Sequence, residues 1–284
     1  MKTEKRIAAF ACAQNGMPYV QMLEAAKNLG FGGLELYRFD DLKTPDLDVA
    51  KGIAQRAAEL EMNIPCLSMG VDLSGSDQSE QVELVKQYIL VAETAGAPYI
   101  HFTTAPYMQH KQEFVPLGKL IRRIAPAVKA LCDFAAEHHV ICVVEGHGYY
   151  MNGIEPLERL LETVEHPNLG VVADLGNLLC VDEQPERFVS YFAPIVHHVH
   201  IKDMVVQPTP TEEPGVRWVA TKQGSFLHRT ELGTGVVDIA RNLRILAAAG
   251  YQGSFSIENN VIGREEKAAQ DRKYLSGLVE DIFG

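Results

Sequence analysis

Along this chain, short β-branched and aromatic runs alternate eight times with longer segments of helical period, in strict order. Strands are expected at 7–12, 32–37, 63–69, 98–103, 140–145, 169–174, 196–202 and 254–258. Helices are expected near 18–29, 46–61, 78–96, 115–138, 154–164, 184–193, 236–249 and 264–282. Several strands read as almost unbroken apolar runs, as parallel strands covered on both faces should. Eight βα units with no leftover domain close naturally into an α/β (β/α)8 TIM barrel, a single domain over 1–284. The doubly wound open sheet is the alternative, but no GxGxxG follows the first strand.

The punctuation agrees. Gly30, Gly32–Gly33, Gly96 and Gly250 each follow a helical pattern and precede a strand, where helix C-caps belong. Asp46 or Asp48 is placed to cap the second helix, and Asp77, with Glu80 three residues on, the third. The one long irregular segment, 204–235, holds Pro208, Pro210, Pro214, the only tryptophan (Trp218) and LGTG at 232–235. Following the seventh strand, it would overhang the barrel mouth, as a lid or as an ordered surface loop.

In a barrel of this kind the C-terminal strand ends converge on one pocket. Those ends carry Glu35, His101, Glu145, Asp174, His200 and Glu258, each ionisable and each closing an otherwise apolar run. Carboxylates gathered at one mouth repel unless a cation sits among them. Glu145, Asp174, Glu258 and His200 offer three oxygen donors and one imidazole, suited to one divalent ion: Mn²⁺ first, with Mg²⁺, Co²⁺ or Zn²⁺ as alternatives. No cysteine belongs to the set, which argues against a closed structural zinc site.

VVEGHG (143–148), VVADLGN (171–177), HVHIKD (198–203) and GSFSIE (253–258), in this order and spacing, resemble the xylose isomerase-like barrels. That family includes sugar and sugar-phosphate isomerases and epimerases, hydroxypyruvate isomerase, inosose dehydratase and apurinic endonucleases. The resemblance runs from GGLELY (32–37) to AGYQGSFSIE (249–258). It implies that Glu145, Asp174, His200 and Glu258 bind the metal, and that the two glutamates move the substrate proton, as in the family's ketose epimerases. Those 3-epimerases carry a further glutamate and an arginine where this chain has Met151 and Val206, so a close copy of them is not expected. Asn177 sits where many members have His or Asn and could meet the metal or substrate, and Lys202 shares a strand face with His200 and could polarise a substrate oxygen.

The remaining polar residues carry plainer readings. Glu35 and His101 are expected to bind sugar hydroxyls or to make structural hydrogen bonds, and His147 to touch substrate. His198 reads as a hydrogen-bonded core histidine. Trp218 and Phe226 would close over a sugar ring or simply bury their own loop.

Charge and cysteine usage narrow the partners. A formal charge of −11, from 26 basic and 37 acidic residues, opposes nucleic acid and anionic membrane surfaces. Cys12, Cys66, Cys132, Cys142 and Cys180 show no paired spacing and read as reduced thiols of a cytoplasmic protein. MKTEKR, IAAFACA and Ala11-Cys12-Ala13 imitate a secretory signal, but IAAFAC serves the barrel as its first strand. A homo-oligomer is compatible with the sequence, although no residue pattern demands one.

The expectation is therefore a metal-dependent isomerase or epimerase acting on a small sugar or polyol-ketone through an enediolate. An inosose dehydratase-like lyase is the first alternative. An apurinic endonuclease-like hydrolase and a non-catalytic sugar-binding barrel rank lower.

Overall fold

The structure is a computed structural model, described for residues 6–11, 16–106, 114–212, 216–258 and 263–284. Cys12 and Pro214 lie outside the described residues, as do the first residues of the signal-like stretch. In chain order, the first seven barrel strands are β1 (Ile7–Phe10), β2 (Gly33–Tyr37), β3 (Leu67–Met69), β4 (Tyr99–Phe102), β5 (Ile141–Glu145), β6 (Leu169–Asp174) and β7 (Val196–Ile201). Three further strands follow, β8 (Asp203–Gln207), β9 (Val219–Ala220) and β10 (Phe226–Thr230), before the last barrel strand, β11 (Phe255–Ile257). The helices are α1 (Tyr19–Asn28), α2 (Leu47–Glu59), α3 (Gln78–Ala95), α4 (Leu117–Glu137), α5 (Ile154–Val164), α6 (Pro185–Phe192), α7 (Ile239–Ala248) and α8 (Glu265–Phe283).

β1 to β7 pair in parallel in sequence order, and β11 closes the barrel between β7 and β1. The expected (β/α)8 architecture is present, each strand and helix within a few residues of its predicted place. Asp46 caps α2, accepting from Asp48 N at 2.9 Å and Val49 N at 3.1 Å. Gly96 ends α3 at φ 78°, a left-handed conformation that costs glycine little. The capping box expected at Asp77 does not form: its carboxylate accepts from the Gln81 side chain at 2.9 Å and makes no cap bond.

The two-residue period of the strands divides the barrel interior into layers. Cys66, Val143 and Val172 form a small apolar layer low in the barrel. Two residues further along each strand, toward the mouth, stand Ser68, Glu145 and Asp174. The same step leads from His198 to His200. The mouth is therefore polar on this side because the sequence changes character at the last inward-facing position of these strands.

Segment 204–235 departs from its expected irregularity. β8, β9 and β10 form an antiparallel ribbon in the order β8-β10-β9, with Arg229 opposite Met204 and Thr230 opposite Asp203. The ribbon leaves the barrel after β7, and its far end docks on the loops after β5 and β6. Lys222 N donates to Cys180 O at 2.8 Å, Gln223 N donates to Asp182 at 2.9 Å, and the Tyr149 hydroxyl donates to Ala220 O. Its base is fixed by Asp203, whose buried carboxylate accepts from the backbone N–H groups of Met204, Gly233, Gly235 and Val237 at 2.8–3.1 Å. Trp218 belongs to the ribbon's own packing, its indole N–H on Thr211 O at 3.0 Å and its ring edge-on to His228 at 4.3 Å.

Candidate metal centre

At the barrel mouth Glu145, Asp174 and His200 each bring one donor atom within 4.8 Å of the others, and all three are buried. Local structure decides which atoms those are. Asp174 ends β6, and the turn that follows folds back onto it: Gly176 N and Asn177 N donate to its Oδ1 at 2.9 and 2.8 Å. Oδ2 is left facing the centre. Glu145 ends β5, with its Oε1 held by the Asn177 side-chain amide and its Oε2 lying 3.0 Å from His101 Nε2 and 3.5 Å from His200 Nδ1. His200 Nδ1 also lies 3.7 Å from Asp174 Oδ2.

The fourth expected ligand stands slightly apart. Glu258, just past β11, is outside the three-residue cluster. It pairs with the Lys202 ammonium, which also lies 2.7 Å from Asp174 Oδ2. Lys202 thus bridges Glu258 to the cluster, and Gly176 leaves room for its stem: a Cβ at 176 would fall 2.6 Å from Lys202 Cγ. On its other side Glu258 is held by Arg229 of the ribbon, whose Nη1 donates to the Glu258 carbonyl oxygen at 2.6 Å and whose Nη2 contacts the carboxylate.

Beneath the cluster, Glu35 accepts from His198 Nε2 at 2.7 Å and His200 Nε2 at 3.0 Å. Ser68 Oγ donates to Glu35 Oε1 at 2.5 Å and stands 2.9 Å from His101 Nδ1. Glu35 is fully buried at 0% exposure with both oxygens engaged. Of the two roles the sequence left open for it, the structure displays the structural hydrogen bonds, made under His200 inside the barrel. His198, fully buried on Glu35, is the core histidine the sequence suggested. His147 is exposed, its backbone N–H donating to Met151 O at 3.2 Å, and it has no described hydrogen bond or ion pair to the cluster.

The charges hold one another in place. Burial works to raise the Glu35 carboxyl, but His200 and His198 outweigh it and keep Glu35 well below the usual carboxylate range. Burial likewise opposes ionisation of Glu145, where His101 and His200 prevail, and of Asp174, where Lys202 prevails despite repulsion from Glu145. Desolvation disfavours a charged His200 ring, yet Glu35, Asp174 and Glu145 together raise its pKa well above the ordinary value. Lys202 is raised too, burial being overcome by Asp174 and Glu258.

This donor set fits a divalent ion. His200 Nδ1 and His101 Nε2 are buried and make no hydrogen bond, and both face the centre, where Asp174 Oδ2 meets the Lys202 ammonium at 2.7 Å. Buried polar atoms are normally satisfied, so orphans aimed at one point mark a place for a cation. Oxygen-rich donors with a single imidazole suit Mg²⁺, Mn²⁺, Co²⁺ or Zn²⁺.

Sequence reasoning missed Ser68 and Arg229. Ser68 stands two residues after Cys66 at the end of the third strand and was open to the same strand-end argument. Arg229 was not, because only the register of the ribbon brings it to Glu258.

Fold and site together define a (β/α)8 barrel with a candidate metal centre at its C-terminal mouth. The model of the xylose isomerase-like TIM barrel family matches residues 23–278, and the chain belongs to that family. It is 30% identical over 152 residues to inosose dehydratase from Geobacillus thermodenitrificans, covering 51% of this chain and 50% of that enzyme. The chain thus spans about half the length of the curated relatives it matches. Among solved structures, an L-ribulose 3-epimerase superposes with a TM-score of 0.77 at 17% identity, over 98% of this chain and 95% of that one. A xylose isomerase-like barrel from Mycobacterium smegmatis in complex with magnesium gives 0.76, also at 17% identity, over 98% of both. At such identities these structures establish the fold. Among the described residues no helix is long and apolar enough to cross a membrane.

Proposed function

We propose that this protein is a divalent-metal-dependent isomerase or epimerase of a ketose or related polyol-ketone. The observation that carries this reading is the convergence of Glu145, Asp174 and His200 within 4.8 Å, with His200 Nδ1 buried and without a hydrogen bond. Those three residues would hold the ion, with Glu258 completing the set on release from Lys202. Mn²⁺ or Mg²⁺ suits the oxygen-rich donors, and magnesium accompanies one structural relative.

When bound, the ion supplies a Lewis acid that polarises a substrate carbonyl and its neighbouring hydroxyl, acidifying the C–H between them. The protein supplies the proton transfers. Glu145 on β5 and Glu258 after β11 flank Asp174 and His200, because β6 and β7 lie between them in the barrel. The two glutamates therefore address the pocket from two sides. For epimerisation one ionised carboxylate takes the proton while the other, entering protonated, gives its own proton to the opposite face; for isomerisation the carboxylate that took the proton returns it to the adjacent carbon as a hydroxyl proton passes from one substrate oxygen to the other. Lys202 and Asn177 orient Glu258 and Glu145 and stand ready to donate to substrate oxygens. A lyase reading shares the first proton transfer and then expels a β-hydroxyl; its specific support is the 30% identity to inosose dehydratase.

Proton NMR in D₂O with Mg²⁺ and a panel of ketoses and inososes tests the proposal. Deuterium should enter beside the carbonyl, and the product separates isomerase, epimerase and dehydratase. Glu145→Gln and Glu258→Gln should each slow exchange by about 10²- to 10⁴-fold. Absence of exchange on every substrate with metal bound, or full activity in either variant, would refute it.

A further inference from the structure

The hydrogen bonds under the metal centre all run in one direction, and Glu35 sets it. An ionised carboxylate can only accept, so each contact to Glu35 must donate: His198 Nε2 at 2.7 Å, His200 Nε2 at 3.0 Å and Ser68 Oγ at 2.5 Å. Ser68 has one hydroxyl proton and gives it to Glu35. Its oxygen must then accept from His101 Nδ1, 2.9 Å away. A neutral imidazole that donates through one nitrogen keeps its lone pair on the other. An ion binds only a neutral ring, so with the ion in place these directions leave the lone pairs on His200 Nδ1 and, where that ring too is neutral, on His101 Nε2. These two ring nitrogens are among the buried atoms without a hydrogen bond, and they lie 3.5 and 3.0 Å from the same oxygen, Glu145 Oε2. A lone pair facing a carboxylate oxygen repels it unless a cation or a hydroxyl proton stands between.

We propose that Glu35 is a positioning residue for the metal centre, fixing the tautomers of His200 directly and of His101 through Ser68, so that both turn acceptor nitrogens toward Glu145. His200 then presents Nδ1 to the ion, and His101 presents Nε2 to a substrate hydroxyl or to the ion. The inference rests on the reading of Glu145, Asp174 and His200 as metal ligands. It adds a carboxylate on β2 that touches neither metal nor substrate and controls two residues that do. Outer partners of this kind commonly change metal affinity by about 10- to 100-fold.

The test is Co²⁺ binding to the metal-stripped full chain, read by calorimetry and by the visible Co²⁺ spectrum. Wild type should bind one ion. Glu35→Gln keeps the shape but sets an amide N–H₂ against a ring N–H, and should weaken Co²⁺ binding by about 10- to 100-fold with a shifted spectrum. Ser68→Ala leaves the Glu35–His200 contact intact and cuts only the link to His101. It should shift the spectrum and weaken binding several-fold, and it decides the matter if Glu35→Gln does not fold. If both variants bind Co²⁺ with wild-type affinity and spectrum, even at a lower melting temperature, Glu35 is merely structural and the proposal fails alone. Two ions per chain, one lost in Glu35→Gln, would make Glu35 a ligand and also overturn it. A wild type that binds no divalent ion removes the metal-centre reading itself.

Discussion

Arg229 and Glu258 meet twice, once through the Glu258 carbonyl oxygen at 2.6 Å from Nη1 and once through its carboxylate. The pair joins the ribbon to the eighth barrel strand, so the residue aiming one proposed proton-transfer group comes from outside the barrel. Replacing Arg229 by Ala removes a charge-assisted pair and should lower kcat/KM by about 10- to 100-fold. Metal affinity should fall less than kcat/KM does, because Glu258, the residue Arg229 holds, stands outside the three-residue cluster and only completes the set. Steady-state kinetics beside Mn²⁺ titration distinguishes the effects, and unchanged kinetics would remove Arg229 from the site.

Metal loading should stabilise the fold. An ion at about one hundred times its dissociation constant adds about 2.7 kcal/mol, visible as a rise in Tm. Their neighbours hold Glu145 and Asp174 below the usual carboxylate range, so both are ready for a cation at neutral pH. Protons compete for the same donors, and the rise should fade on acidification. Chelation should reverse it and Asp174→Asn should abolish it. Identical melting curves with EDTA and with Mn²⁺ would contradict the assignment.

Asp203 is a structural keystone of the mouth. Its carboxylate satisfies four backbone N–H groups, those of Met204, Gly233, Gly235 and Val237. Asp203→Ala would orphan these donors, those of Met204 and Val237 away from water, and should cost about 3 kcal/mol. Asp203→Asn keeps one acceptor oxygen and should cost less. Thermal melts within about 2 °C of wild type for the alanine variant would show that the segment finds other partners.

A pH effect is expected at the opposite end of β7. Burial lowers the pKa of His197, whose ring lies against Tyr99 with centroids 5.6 Å apart. The unfolded chain takes up that proton near about pH 6.5, before the folded one does. The stability contributed by the neutral ring is thus present above the unfolded value and lost as pH falls through the lower folded value. Between about pH 7.5 and pH 5, wild type should lose more stability than His197→Gln. Parallel denaturant titrations of the two proteins test this, and equal losses would show that the ring titrates freely in the fold.

The sequence by itself determined the barrel and most of the site. Strand and helix periods are local properties, and eight repetitions leave few closed solutions. Glu145, Asp174 and His200 were legible because a strand end in a parallel barrel has one destination. What tertiary structure decided is everything that depends on register and on which lone pair faces where. Glu35 sits at a strand end like the others, yet its carboxylate turns under His200, because two histidines and a serine from two other strands offer it donors there. Ribbon pairing carries Arg229 to Glu258 across 29 residues of sequence, a contact no local pattern encodes. Glu258 shows the same division: its place after the last strand follows from sequence, but its hold by Lys202 and Arg229 follows from charges that only the closed barrel brings together.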